Sequence, residues 1–149
     1  MVEKKTIDIW RDTPVRLLGY TNEVGESFRY VFPKGVVPSY CIAFAYVLAD
    51  TQDKAMKRYR ADGNKITRQL GISTLDCLVW QTLASVFVPG FVIHQFVKVA
   101  KIATQKTDRF GAKAKFIPVA VGLCAIPFIV KPIDHGVDLL LDHSLRKWS

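Results

Sequence analysis

The residues best suited to chemistry in this sequence are an acidic row near the C-terminus and the histidines beside it. Asp134, Asp138 and Asp142 recur every four residues, so on a helix they share one face. His135 and His143 lie close by and could join them in a metal site. Both histidines, however, lie one residue away from the row, which is a poor ligand spacing.

An acidic face explains this row more simply than a metal site. Like charges four residues apart cost a few tenths of a kcal/mol each unless an opposite charge faces them. Arg146 is spaced to pair with Asp142 on the same helix. The other carboxylates could be neutralised by a basic residue of the N-terminal segment: Arg11, Arg16 or Arg29. We therefore predict neither a metal nor another cofactor.

The remaining reactive side chains lie within apolar surroundings. Cys41, Cys77 and Cys124 fall one to each apolar run, and without a CxxC pair they are predicted to be buried thiols. His94 lies near one end of the longest run, where we expect a neutral, hydrogen-bonded imidazole. The sequence contains no Gly-rich phosphate loop, GxSxG elbow or HExxH pair. We expect a protein without catalytic residues, not an enzyme.

Three uncharged runs, at 35–49, 77–97 and 116–130, separate the charged stretches. A membrane-spanning helix needs about 20 mainly apolar residues, with a range near 17–25. The run 77–97 meets this length, and its Pro89-Gly90 pair is tolerated as a kink within a membrane. The two shorter runs span only if Lys34 and Lys131 extend to the interface. Otherwise they are re-entrant segments or buried helices of a soluble bundle.

Amphipathic helices are predicted at both ends of the chain. Residues 11–31 begin with helix-capping types, and apolar residues then recur at spacings of three or four. That segment either packs on its own protein or lies on a membrane surface. Residues 133–148 show the same period. The N-terminal stripe is Leu17, Tyr20, Val24, Phe28 and Val31, and the C-terminal one is Ile133, Val137, Leu140, Leu141, Leu145 and Trp148.

The charge balance predicts an anionic partner. The chain has 21 Lys and Arg against 13 Asp and Glu, a formal net charge of +8. The basic residues flank the apolar runs instead of interleaving with stacking aromatics, which favours membrane lipid over nucleic acid. Candidate contacts to anionic phospholipid are Lys54, Lys57, Arg58, Arg60, Lys98, Lys101, Lys113 and Lys115.

Four stretches, at 11–29, 46–54, 76–93 and 132–148, resemble the mitochondrial fission process protein 1 family in their order and strings. The first reads RDTPVRLLGYTNEVGESFR and the last PIDHGVDLLLDHSLRKW. The resemblance implies a multi-span protein of the mitochondrial inner membrane without known enzymatic activity. The residues that carry it are Arg11, Asp12, Arg16, Gly19, Tyr20, Asn22, Glu23, Gly25, Glu26, Arg29, Asp50, Trp80, Gln81, Pro89, Gly90, Pro132, Asp134, Asp138, Asp142 and Arg146.

Together these observations predict one all-α, integral membrane domain over residues 1–149. It would have about three transmembrane or re-entrant helices plus the two amphipathic ones. The resemblance implies support of mitochondrial fission and inner-membrane organisation. Two alternatives stay open: a structural accessory subunit of a respiratory-chain or ATP synthase complex, and a protein that binds anionic lipid. Other inner-membrane proteins or a large membrane complex are the expected protein partners.

Overall fold

Helices and turns make up residues 7–147, the range that the computed structural model describes, and no strand occurs within it. The α-helices are α1 (Ile9–Asp12), α2 (Thr21–Ser27), α3 (Val36–Ala61), α4 (Arg68–Thr82), α5 (Val88–Gln105) and α6 (Ile117–His143). Three 3₁₀ segments, Pro14–Tyr20, Pro33–Gly35 and Asp108–Phe116, join them, and a π turn covers Leu83–Phe87. The predicted all-helical class is confirmed.

Two helices are long and apolar enough to cross a membrane. The first is Arg68–Gln105, in which α4, the π turn and α5 are continuous over 38 residues. The second is Arg109–His143, 35 residues that include α6. They contain the predicted runs 77–97 and 116–130. All but the first residue of the run 35–49 lies within α3, and Asp50 follows the run directly, so its uncharged length falls short of a span. A count of three spans is not confirmed.

The C-terminal segment continues the second long helix. Residues 133–143 belong to α6, which passes through Pro127 and Pro132 and ends at His143. Val137 and Leu141 of the predicted stripe are buried against Trp80 of α4. Leu140, in contrast, is 58% exposed. Trp148 lies outside the described residues.

The N-terminal segment 11–31 differs from the single helix predicted. The Thr13 hydroxyl accepts a hydrogen bond from the Val15 N–H, and Pro14 begins a 3₁₀ turn that precedes α2. The predicted apolar stripe does not face the protein interior, since Leu17 and Val24 are exposed. The polar side of α2 is buried instead. Helical spacing identified the two faces correctly, but it does not determine which face meets the protein.

Small apolar clusters hold the long helices together. Ala43, Tyr46 and Val47 of α3 pack on Val86 of the π turn, and the Trp10 ring lies edge-on to Tyr46 at 5.7 Å. A second cluster joins α4 to α6. Between them α2 contacts α3, α5 and α6, so a seven-residue helix lies at the centre of the bundle.

Basic residues gather at two ends of the bundle. At the α5–α6 end, defined as residues 29–35 and 98–118, Tyr30 contacts Lys101. At the α3–α4 end, defined as residues 8–12, 53–76 and 138–147, α3 and α4 are joined by a turn at 62–67. There Arg58 donates to Gln69 across the turn.

The three cysteines differ in burial. Cys77 is buried in α4, as predicted, but Cys41 and Cys124 are exposed. The prediction of three buried thiols is therefore wrong for two of them. Both lie on outward faces of helices, because an apolar run does not pack all of its sides against its own protein.

Candidate functional site

The centre of the bundle is polar, and α2 supplies most of it. Asn22, Glu23, Glu26 and Ser27 are each at most 2% exposed. A carboxylate loses favourable hydration when it is buried, so each of these groups needs a partner or a shifted pKa. The packing around α2 therefore determines the chemistry of this site.

Glu26 is the hub of a hydrogen-bonded network that joins three helices. Its carboxylate accepts from Nε and Nη2 of Arg29, each at 2.6 Å, and from the Tyr40 hydroxyl of α3 at 3.0 Å. Nδ1 of His94 on α5 lies 3.1 Å from the same carboxylate. Burial alone would raise the pKa of Glu26, but these hydrogen bonds outweigh it and lower the pKa. The predicted hydrogen-bonded state of His94 is confirmed.

Glu23, on the same helix as Glu26, has the opposite electrostatic surroundings. Its side chain is fully buried, and neither carboxylate oxygen has a hydrogen-bond partner among the described residues. Burial raises the pKa of Glu23 to about 8, and the residue's own nearby backbone amide and the Arg16 charge only partly counteract this rise. The carboxyl is thus neutral through most of the physiological pH range.

The π turn marks the point where α2 meets the long helix of α4 and α5. Pro89 lacks an N–H and its ring crowds the carbonyl one turn earlier, so the helix widens over Leu83–Phe87. The Asn22 amide donates to the Val86 carbonyl within this turn at 3.0 Å. The kink expected at Pro89-Gly90 is thus a π turn, with a side chain from another element satisfying its backbone.

Glycines allow the helices to approach α2 closely. A Cβ on Gly90 would lie 3.0 Å from the Asn22 amide nitrogen of α2, and one on Gly25 would lie 1.9 Å from the Ser39 hydroxyl. On α6, a Cβ on Gly122 would lie 2.5 Å from the Ser27 hydroxyl. All three distances are below normal contact, so any larger residue would push α2 away from its neighbours.

A second polar group joins α3 to α4 beside this centre. Asp50 is fully buried, accepts from the Gln81 amide and pairs with the Lys54 ammonium at 2.8 Å. Gln81 in turn accepts from the Ser85 hydroxyl at 2.8 Å. Asp50 and Lys54 are four residues apart on α3, a spacing that favours this ion pair, and the buried Asp50 carboxylate ties α3 to α4.

Arginine side chains neutralise the acidic row of α6, as expected for an acidic face. Arg16 pairs with Asp134, which joins the N-terminal 3₁₀ turn to α6. Arg146 lies 2.7 Å from Asp142 and 3.3 Å from Asp138, and it also contacts Asp76 of α4 at 3.1 Å. The Asp142–Arg146 pair and the contribution of Arg16 are therefore confirmed.

Sequence spacing predicted much of this site without indicating its arrangement. Eight of the residues that carry the family resemblance meet at the centre, namely Asn22, Glu23, Gly25, Glu26, Arg29, Gln81, Pro89 and Gly90. Trp80 lies apart, with the Arg11 guanidinium 4.0 Å from its ring centroid. Sequence reasoning missed Ser27, Tyr40, Ser85 and Gly122. The small-residue signal at Gly122 within an apolar run could have suggested a close helix contact.

The two groups of predicted lipid contacts differ in their surroundings. Lys54, Lys57 and Arg58 are each paired with a carboxylate of the α3–α4 end, namely Asp8, Asp53 and Asp62. Lys101 instead lies 3.8 Å over the Tyr30 ring, and Lys115 lies over Phe116. The remaining candidates, Arg60, Lys98 and Lys113, are exposed.

Comparison with known proteins gives a consistent result. The family model described as Mitochondrial 18 KDa protein (MTP18) matches residues 9–141. A zebrafish (Danio rerio) protein named mitochondrial fission process protein 1 is 47% identical over 147 residues, covering 96% of this chain and 89% of its own length. Proteins of the same name from human and Caenorhabditis elegans are 44% and 41% identical, each covering 94% of this chain and 87% of its own length. No solved structure matches.

Proposed function

This chain belongs to the mitochondrial 18 kDa protein (MTP18) family, which includes the mitochondrial fission process protein 1 relatives, and on that premise we propose that it is a non-enzymatic, multi-pass protein of the mitochondrial inner membrane that supports fission and inner-membrane organisation. Homology supports the role in mitochondrial fission, and the homologue names together with two apolar helices support a mitochondrial membrane protein.

The observation that carries the membrane placement is the reversed polarity of the bundle. Only 17% of the most apolar part of Arg109–His143 is buried within the protein. Phe128, Phe91 and Leu17 are 79%, 65% and 63% exposed, whereas Glu23 and Asp50 are fully buried. Soluble proteins rarely expose large contiguous apolar surface. Lipid tails would solvate this exterior, and the interior polar contacts would hold the helices together where apolar burial gives little.

A structural role fits the chemistry of the polar centre. Glu26 and Asp50 bond to side chains from other elements, and Asn22 bonds to a backbone carbonyl of the π turn. These contacts connect α2 and α3 to the long helix. Groups used in this way stabilise a fixed arrangement of helices, which is what a membrane scaffold or regulator requires.

Inner-membrane placement is tested on isolated mitochondria. We expect the protein to resist carbonate extraction and to remain protected from protease while the outer membrane alone is opened. Protease access to tags on each terminus and in the turn at 106–116 then determines how many spans there are. Release by carbonate would contradict an integral protein, and digestion in intact mitochondria would contradict the inner membrane.

The fission role is tested by deletion and re-expression. Loss of the protein should elongate the mitochondrial network, and re-expression of the full chain should restore its normal length. Network length measured by fluorescence microscopy decides the outcome. An unchanged network together with unchanged inner-membrane coupling would contradict the proposal.

An accessory subunit of a respiratory-chain or ATP synthase complex is the second candidate. The uncovered apolar faces of α5 and α6 favour it as well, because a neighbouring subunit would bury them as effectively as lipid. Blue-native electrophoresis separates the two. Comigration with a megadalton complex supports the subunit, and a small free species contradicts it.

A further inference from the structure

The excess positive charge of this protein is concentrated at the α5–α6 end. Residues 98–115 contain six Lys and Arg residues and a single acidic residue, Asp108, within a chain of formal charge +8. Five of the six cations are exposed, and they are Lys98, Lys106, Arg109, Lys113 and Lys115. None of the six forms an ion pair with a carboxylate within the described part of the chain.

The α3–α4 end is equally rich in basic residues but is compensated. The Lys54 ammonium lies 2.8 Å from Asp50 and 3.2 Å from Asp8. Lys57 pairs with Asp53 at 2.7 Å. These carboxylates compete with any external anion, so this end offers a weaker field to a ligand. The structure therefore distinguishes two clusters that look alike in the sequence.

A cavity of about 220 Å³ lies within the uncompensated end. Tyr30, Lys101, Thr104, Lys115 and Pro118 are among its lining residues. The Lys101 ammonium lies 3.8 Å from the centroid of the Tyr30 ring, which fixes its position. The start of α6 borders the cavity through Pro118. Such a cavity suits a compact anion with oxygen acceptors.

Apolar side chains next to the cavity indicate what carries that anion. Val99 and Ile102 of α5 are 64% and 45% exposed, and Phe116 at the start of α6 is 51% exposed. They flank the basic residues at the end of two helices that are apolar enough to span a membrane. A free phosphate would use only the lysines, whereas a phospholipid would also cover these side chains with its acyl chains.

We propose that the α5–α6 end binds the phosphate-bearing headgroup of an anionic phospholipid, with Lys101 and Lys115 contacting the phosphate and the outward apolar residues contacting the acyl chains. This inference rests on the membrane placement proposed above. It gives the protein a preference among lipids, and it orients the turn at 106–116 toward a headgroup layer.

The test is native mass spectrometry of the full chain in non-ionic detergent, titrated with dioleoyl phosphatidylglycerol or dioleoyl phosphatidylcholine. The anionic lipid should bind at least tenfold more tightly, and binding should weaken from 50 to 500 mM salt. Lys101→Gln with Lys115→Gln should lower the affinity for phosphatidylglycerol about tenfold. The matched control, Lys57→Gln with Arg60→Gln, removes the same charge at the α3–α4 end and should change it less than twofold.

Three outcomes would overturn the proposal. These are equal binding of the two lipids, equal losses in the test and control variants, and full displacement of lipid by millimolar inorganic phosphate, which would indicate a free-phosphate site. Because Lys101 contacts Tyr30, the pair Lys113→Gln with Lys115→Gln provides a second variant that leaves that contact intact and should also weaken binding. Binding in detergent is independent of carbonate extraction and of network length, so failure here is distinguishable from failure of the proposed function.

Discussion

At the residue scale, two carboxyl groups on the same short helix have opposite electrostatic environments. Glu26 is surrounded by Arg29, Tyr40 and His94, while both oxygens of Glu23 lack partners among the described residues. The pKa of Glu26 is lowered and that of Glu23 is raised to about 8. Matching substitutions at the two positions should therefore have effects of opposite sign.

Glu23→Gln should stabilise the protein at high pH. Because the pKa of Glu23 rises from its ordinary 4.5 to about 8 on folding, its protonated form contributes stability that is complete below pH 4.5 and is lost as pH rises through 8. The gain from the substitution should reach about 3–5 kcal/mol above pH 8. Thermal unfolding in detergent between pH 5 and 9 measures it. The exposed carboxylate of Asp12, replaced by Asn, is the control, and an unchanged pH slope in Glu23→Gln would contradict the assignment.

Glu26→Gln should destabilise the protein near neutral pH. The substitution replaces a charged acceptor and weakens its bonds to Arg29, Tyr40 and His94. We expect a loss of about 1–3 kcal/mol, limited because Arg29 is partly exposed to screening. The same thermal unfolding series at pH 7.5 gives the value. A melting temperature at or above that of the unsubstituted chain would show that the network contributes no net stability.

At the element scale, α2 depends on glycines of its neighbours for its position. Seven residues form too short a helix to be stable alone, so tertiary contacts must hold it. Those contacts come from α3, α5 and α6, with Gly90 and Gly122 providing the space. The π turn adds the backbone carbonyl that Asn22 binds.

Substitutions at two glycines of α6 test this dependence within one helix. Gly122→Ala should cost about 1–3 kcal/mol, because its Cβ would meet the Ser27 hydroxyl at 2.5 Å and Val97 at 2.8 Å. Gly136→Ala has nothing within 4 Å and should stabilise the helix by up to about 1 kcal/mol. Melting temperatures in detergent compare the two. Equal shifts would indicate that α6 does not pack tightly on α2.

At the scale of the whole molecule, the exterior is apolar where the two long helices are, and charge is found mainly at the ends. The outward faces include Phe91, Phe96 and Phe128, which are between 46% and 79% exposed. In water, protein chains with such a surface would associate, because each exposed large apolar side chain forgoes roughly 1.5–3 kcal/mol of burial free energy. The fold therefore implies a lipid or protein environment around these helices.

The purified full chain should require detergent to remain dispersed. We expect a single species in non-ionic detergent and large aggregates after detergent removal, measured by size-exclusion chromatography with light scattering. A separate aliquot receives detergent again before its removal is complete. This aliquot controls for irreversible damage. A monodisperse chain in buffer alone would contradict the membrane placement, because its apolar exterior would then have to be buried in some other way.

The sequence by itself determined what depends on neighbours along the chain. Helical class, the apolar character of 77–97 and 116–130, and the pairs Asp50–Lys54 and Asp142–Arg146 all follow from local spacing. Such spacing groups residues on a face because the helix has a fixed period. The family resemblance likewise followed from short strings that keep their order.

Only the tertiary structure decided which face meets which surroundings. The polar side of α2 turned inward, and Arg16 paired with Asp134 across 118 positions. Among the described residues, the basic side chains of 98–115 form no ion pair, whereas Lys54, Lys57 and Arg58 are paired. Periodicity identifies two faces of a helix but not the medium that each one contacts. That choice depends on contacts between residues far apart in the chain, and no local pattern encodes them.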